Sequence, residues 1–302
     1  MAVTDIRLRA RVADIDTPFR RFARAYLASK LAVAGLVLLA LVLFAAIAGP
    51  LLAPQNPYDL MVLDVLDSRL APGEKSGDGK MTFLLGSDEQ GRDMVSAILY
   101  GVRTSVMVGV VSTAIALAIG LSLGLWAAYL GGRTEGVIMR LVDIQLSFPP
   151  ILIALILLAL TGPGLGKIIV ALVAVKWAYY ARSARSIALV ERRKEYIEAA
   201  TCLGLSTPRI IFRHLLPNAL APVLVSASFG VASAILTESA LSFLGFGVAV
   251  PTASWGSVLA VAQQYIEFAW WLALFPGLAI FLTVAAFNLI GDRLRDVLDP
   301  TV

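Results

Sequence analysis

Long apolar runs, separated by short polar ones, organise this chain. Runs of roughly the length that a helix needs to cross a bilayer, about 20 residues, fall at 31–52, 105–130, 144–160, 168–182, 219–237 and 270–290, the third and fourth being short. Backbone in lipid must satisfy its own polar groups, so these runs predict an all-α membrane protein of six transmembrane helices. The run at 31–52 follows basic residues and ends in "AIAGP", like a signal peptide. Its apolar stretch exceeds the roughly 7–15 residues of a cleaved segment, so a retained helix is expected.

The polar segments divide the rest. Residues 1–30 form a tail whose "RFARAYLASK" alternates Arg with apolar residues, as in an amphipathic helix lying on a membrane surface. Residues 53–101 make one sizeable loop, punctuated by "APQNP" and "APGEKSGDGK". Five helices and a polar segment at 191–217 fill 102–291, and 292–302 is a short tail.

Composition strengthens this picture. The chain is 59% hydrophobic and 15% charged, against about 25% charged in soluble domains. Lys and Arg resist translocation. With the N-terminus inside, the inner segments carry 18 of the 25 basic residues, the outer ones six, and Lys176 lies within a span. Both termini are therefore expected in the cytoplasm, together with 191–217. That asymmetry accounts for the net charge of +4, and no nucleic-acid partner is expected. One cysteine, Cys202, and one histidine, His214, leave no internal disulfide and no Cys/His metal cluster within the chain.

Several positions within and beside the spans carry chemistry. Gly120 and Gly124 have the small-xxx-small spacing that lets helices approach closely. "SFPP" before the third span and "FPG" in the sixth predict bends. Trp270 and Trp271 are placed at an outer aromatic belt. Asp143, Lys176 and Glu238 are placed within reach of an interface, with no stack of charges at mid-depth for a proton relay. In "LLGSDEQGRDMVSAILYGVRTS", Gly86, Gly91 and Gly101 bracket an expected short helix with Asp88 and Glu89 in its first turn. The alternating acidic spacing of a calcium loop is missing there, so a structural cap and turn is expected.

The segment "EYIEAATCLGLSTPRIIFRHLLPN" has a regular shape of its own. Residues 191–203 predict a helix with Ile197, Ala200 and Leu203 on its apolar face, and Gly204 suits a left-handed terminus. Thr207 is expected to cap a second helix with Pro208 in its first turn; Ile210, Ile211 and Leu215 supply contacts, and Pro217 ends it. By composition alone this is an elbow on the membrane surface.

The residue order says more. "EAATCLG", nine residues, then "HLLP" resembles the EAA loop of permease subunits of ATP-binding-cassette importers, with Glu198, Ala199, Ala200, Gly204, Leu216 and Pro217 on the pattern and His214 in place of isoleucine. "RHLLPN", "LGSDEQGRD", "YGVRTSVMVG", "ESALSFLGFGV", "SWG" and "NLIGDRLRDVLDP" are similar to the second permease subunit, the DppC/OppC type, of the dipeptide and oligopeptide branch. The resemblance spans 19–300. It implies a type I importer permease fold in a bacterial inner membrane, pairing with a homologous permease. It also implies two ATPase subunits below and a substrate-binding protein outside.

On that resemblance, Glu198, Ala199, Ala200, Gly204, His214, Leu216 and Pro217 belong to a coupling helix seated on an ATPase subunit. His214 either packs against that partner or only marks the peptide branch. No GxxxxGK[ST] loop occurs in the sequence, so the chain is expected to bind no cofactor, with ATP and Mg handled by the partner ATPases. Nickel, glutathione and sugar-derived solutes remain alternative substrates. An ion-coupled secondary transporter and an anchoring protein remain as readings from other classes.

Overall fold

The computed structural model describes residues 18–59, 61–248 and 254–298. The tail segments 1–17 and 299–302 lie outside them. The described chain is helical, and its only β-pairings among the described residues are two isolated bridges in the loop before Met94, Lys75 with Thr82 and Ser87 with Asp93.

Helix α1 (Pro18–Leu27) is the expected amphipathic tail helix, with Tyr26 buried and Arg20, Arg21 and Arg24 exposed. Arg293, near the other end of the chain, hydrogen-bonds the Ala25 carbonyl and ties α1 to the bundle. Helix α2 (Lys30–Leu52) starts at a Ser29 cap that accepts from the Ala32 amide at 3.3 Å. It exposes Leu36, Phe44 and Ile47, a face suited to lipid.

Helix α3 (Met94–Leu130) begins well before the apolar run at 105–130. Its N-cap is Asp93, which accepts from the Ser96 amide at 2.8 Å and the Ser96 hydroxyl at 2.7 Å. The expected short helix at Asp88 and Glu89 is therefore a turn. Asp88 accepts from the amides of Gln90 and Arg92, pairs with the Arg92 guanidinium at 2.6 Å, and leaves the helix to start at Met94. The side chain is used by its own loop, so no helical amides remain for it to cap.

The third expected span is not straight. Helices α4 (Gly132–Leu146) and α5 (Pro150–Thr161) meet at an 85° bend. Proline excludes helical geometry from the residue before it and suits the first turn, so Pro149 and Pro150 end one helix and open the next. In contrast, Pro276 is accommodated within a continuous helix.

Helix α6 (Leu165–Glu191) is 27 residues long and reaches well past the expected end of its span. Beyond it lie α7 (Glu195–Cys202), α8 (Thr207–Ile210), a π-helical turn (Ile211–Leu215) and α9 (Leu216–Leu241). A second π-helical turn, Ser242–Phe246, follows α9. Helices α10 (Trp255–Ala262) and α11 (Trp271–Leu298) complete the described chain. Four helical stretches, at Lys30–Leu52, Met94–Leu130, Thr207–Phe246 and Trp271–Leu298, are long and apolar enough to span a membrane, and the bent α4–α5 pair makes a fifth. Helix α6 is more polar, carrying Lys167, Lys176, Arg182 and Arg185.

The most extensive helix pair is α3 with α6. A Cβ on Gly120 would lie 2.4 Å from the Trp177 carbonyl oxygen, and one on Gly124 would lie 2.4 Å from that of Ala181. The glycine pair thus sets how closely two backbones approach. On the other side of α3, Val102 and Val106 pack with Val231, Ile235, Trp255, Ile280 and Phe287 from α9, α10 and α11.

Three charged or aromatic placements change. Trp270 is half exposed, but Trp271 is buried and its indole donates to the Ser87 carbonyl at 3.2 Å, so it anchors the loop that precedes α3. Glu238 is fully buried within α9, where Ser105 and Ser242 donate to its two carboxyl oxygens at 3.2 and 2.7 Å. Lys176 lies near the middle of α6 because that helix continues nine residues past 182. Glu238 and Lys176 are each held by serine hydroxyls within the bundle.

Candidate functional site

The polar segment between α6 and α9 folds as a compact elbow. Helix α6 ends at Glu191, and a short turn delivers Lys194 to the N-cap position of α7 without a side-chain cap. Helix α7 ends in a Schellman motif: the Leu205 amide donates to the Ala200 carbonyl at 3.2 Å and the Gly204 amide to Thr201 at 3.0 Å. Gly204 takes φ +70° there, as its position in the sequence predicts. The second helix begins differently from expectation. Ser206 occupies the cap position with no side-chain hydrogen bond, and Thr207 and Pro208 form the first turn.

Pro217 does not end the helix. The chain stays helical from Thr207 to Leu241, and the π-helical turn at Ile211–Leu215 precedes the proline. The Leu216 amide donates to Ile211, five residues back, so the register has already shifted where proline lacks its donor. This join makes the elbow continuous with α9.

The underside of the elbow is apolar. Ile197, Ala200, Ile210, Ile211 and Leu215 are buried together with Leu125 and Ala128 of α3, Ala188 of α6 and Ala219 of α9. Leu203, expected on that face, is instead 78% exposed, because the Schellman turn carries Leu205 into the cluster in its place.

Polar contacts brace the flanks. Arg192 donates to the Ala128 carbonyl at 2.9 Å and lies over the Tyr129 ring, 5.6 Å from its centroid. Glu191 accepts from Lys194 at 2.6 Å and from the Tyr196 hydroxyl at 2.7 Å. Burial pushes the Tyr196 phenol up to about 12, with the Glu191 carboxylate adding to the shift. Burial alone would raise Glu191, but hydrogen bonds from Lys194 and Tyr196 hold it below its ordinary value. Further into the bundle, Arg185 bonds Glu135 at 2.7 Å and Arg182 pairs with Asp143.

The seven residues picked out by the sequence pattern divide into two sets. Ala200 is buried and Leu216 is half-buried against the same cluster. Glu198, Ala199, Gly204 and Pro217 are exposed on the outer side of the elbow, and His214 is half-buried, its carbonyl accepting from the Asn218 amide group at 2.7 Å. Among the described residues, the Glu198 carboxylate has no ion-pair or hydrogen-bond partner. The bracing residues Arg192, Glu191, Tyr196 and Glu135 were not picked out. Only the i, i+3 spacing of Glu191 and Lys194 left a trace in the sequence; the pairing of Arg185 with Glu135 bridges two helices far apart in the chain.

The arrangement suits mechanical work. An apolar base fixes the elbow to α3, α6 and α9, while an unpaired carboxylate and a glycine turn face outward.

Comparison with known proteins agrees with this architecture. Residues 120–302 match the family described as binding-protein-dependent transport system inner membrane component, and 17–72 match the N-terminal TM domain of oligopeptide transport permease C. The chain is 44% identical over 284 residues to the dipeptide transport system permease protein DppC of Escherichia coli strain K12, covering 94% of this chain and 93% of that protein. It is 40% identical over 284 residues to the di/tripeptide transport system permease protein DppC of Pseudomonas aeruginosa strain UCBPP-PA14, covering 94% and 92%. Among solved structures, an inward-facing MetNI methionine ABC transporter chain matches with a TM-score of 0.58 at 21% identity, covering 68% of this chain and 97% of that one.

Proposed function

Since the chain belongs to the family of binding-protein-dependent transport system inner membrane components, we propose that it is the permease subunit of an ATP-binding-cassette importer for dipeptides or oligopeptides. The names of its relatives support the peptide substrate. In this reading six helices span the cytoplasmic membrane with both termini inside, α6 supplying the sixth. The chain pairs with a homologous permease, receives substrate from an external binding protein, and rests on two ATPase subunits that hold the ATP and Mg.

One observation carries the role of the elbow: Glu198 is exposed and unpaired on a unit whose opposite face is packed into the bundle. A carboxylate so placed is ready to make charge-assisted hydrogen bonds to a docked subunit. Ala199 and Gly204 keep the surrounding surface low, so a partner can approach the backbone. Closure of the ATPases on ATP would then push the elbow as a unit and tilt the helices joined to it.

The test is reconstitution with the co-encoded partners in vesicles. Each candidate binding protein, loaded with peptide, nickel or glutathione, is scored for stimulation of ATP hydrolysis and for uptake; only peptide-loaded protein should stimulate. Glu198→Lys and Gly204→Asp should insert and assemble normally yet lose stimulated hydrolysis and uptake together. Wild-type coupling in both variants would refute the docking role.

A further inference from the structure

A cavity of about 600 Å³ opens beside α6, walled by Pro150 at the α4–α5 bend, Tyr180 of α6, and Phe229, Ser233 and Thr237 of α9. Its size falls within the range of small-ligand sites, about 300–1,000 Å³. Most of the lining is apolar, and the one charged group in it is Lys176.

The ammonium of Lys176 donates to the Ser233 hydroxyl at 2.8 Å. It has three protons to donate, and a neutral hydroxyl takes one without balancing the charge. Among the described residues, no Asp or Glu lines the cavity. Asp143 of α4 is paired with Arg182, and Glu238 of α9 is enclosed by Ser105 and Ser242. A cation in an apolar site among membrane helices is costly unless an anion or water meets it. Among the described residues the bundle supplies no such anion here, and the carboxylates of α4 and α9 are paired or enclosed.

From this we infer that Lys176 is a substrate-contacting residue that receives the terminal carboxylate of a peptide in transit, while the apolar walls accept its side chains. The inference rests on the importer reading and deepens it: this subunit itself selects for a free carboxylate. Hydroxyls of Tyr179, Tyr180 and Thr237 around the cavity accommodate a polar backbone without fixing its sequence, as passage of many peptides requires.

The test uses the complete transporter in vesicles, with dialanine as probe and two readouts: ATP hydrolysis stimulated by the loaded binding protein, and peptide accumulated per ATP hydrolysed. Lys176→Gln keeps a donor for Ser233 but loses the charge, Lys176→Arg keeps the charge, and Ser233→Ala removes the bond between helices. Loss of a charge-assisted hydrogen bond should lower accumulation per ATP by about tenfold in Lys176→Gln. Stimulated hydrolysis should persist, and the other two variants should stay near wild type. Wild-type accumulation by Lys176→Gln would overturn the inference. So would equal losses in Lys176→Gln and Ser233→Ala, which would mark the lysine as a helix tie, or loss of stimulated hydrolysis in Lys176→Gln, which would mark it as part of the coupling. If the unaltered complex shows no ATP-dependent uptake, the importer reading fails first, a result separate from any of these.

Discussion

Placing a methyl group on Gly120 should separate the two helices at the centre of the bundle. The added Cβ would lie 2.4 Å from the Trp177 carbonyl oxygen, 2.6 Å from the Tyr180 Cβ and 2.8 Å from the Ala181 amide nitrogen. Ordinary contact for such atoms begins near 3.4 Å. Because two of the three are backbone atoms, no rotamer change can make room, and α6 must shift by about 1 Å. Overpacking of this kind costs about 1–3 kcal/mol. For domains somewhat smaller than this chain, each kcal/mol moves Tm by about 2–4 °C, so Gly120→Ala should melt several degrees lower in purified complex. Gly124→Ala meets the same helix, 2.4 Å from the Ala181 carbonyl oxygen. One separation relieves both clashes, so the double variant should lose less than the two single losses combined. Gly277→Ala is the control: nothing lies within 4 Å of its Cβ. There the gain in helix propensity, about 0.5–1 kcal/mol, should leave Tm unchanged or raise it. Equal melting of Gly120→Ala and Gly277→Ala would refute the reasoning.

Other outcomes follow from single sites. Glu238→Ala strips the acceptor from two buried hydroxyls. It should destabilise by about 1–3 kcal/mol, and Ser105→Ala in that background should cost little more, a coupling that a double-mutant cycle measures. Asp93→Ala removes the cap of α3; a loss of about 1–2 kcal/mol, with earlier proteolytic cutting near Arg92, should be restored by Asp93→Asn. The Tyr196 phenol is raised to about 12, so its contribution is complete below the usual tyrosine value and is lost as pH climbs through about 12. Alkaline difference spectra of wild type against Tyr196→Phe should place that phenol well above the ordinary tyrosine range. Asp78, held down to about 2 first by the Ser76 hydroxyl, should keep its turn until acid takes pH from about 4 through about 2, visible as late protonation in carboxylate spectroscopy.

What the sequence made legible was local. Gly120 and Gly124 announce a close helix contact because four-residue spacing places them on one face of α3, and Gly204 announces a left-handed terminus because little else adopts that conformation cheaply. Failures arose where another part of the chain decided the outcome. Asp88 looks like a helix-start carboxylate, but Arg92 and nearby amides claim it. Trp271 has the composition of a membrane-edge residue, yet its indole is buried against the loop that precedes α3. Arg182 reads as the end of the fourth span, whereas α6 continues to Glu191 and so has Lys176 near its middle. Pro217 looked like a stop, and the π-helical turn before it absorbs the missing donor. The pattern residues Glu198 and Ala200 share a motif but face opposite sides of the elbow, a division that spacing does not reveal.

The elbow and the cavity share two helices, and the position of the glycine contact decides how motion passes between them. Gly120 and Gly124 meet α6 between Trp177 and Arg185, immediately beyond Lys176. From Trp177 to Glu191, where α6 enters the elbow, is about 21 Å along a helix rising 1.5 Å per residue. Under the importer reading, a tilt of α6 about the middle of this contact moves Lys176 about half as far as the elbow end, so the lysine stays nearer the pivot. Helix α9 is joined to the elbow without a break and carries Ser233 on the opposite wall. The α4–α5 bend contributes Pro150 to a third wall through a joint of its own. Motion at the elbow therefore changes the cavity by moving its far walls past a charge that moves less. A carboxylate held at such a point stays held while the space around it opens or closes, which is the order of events that alternating access requires.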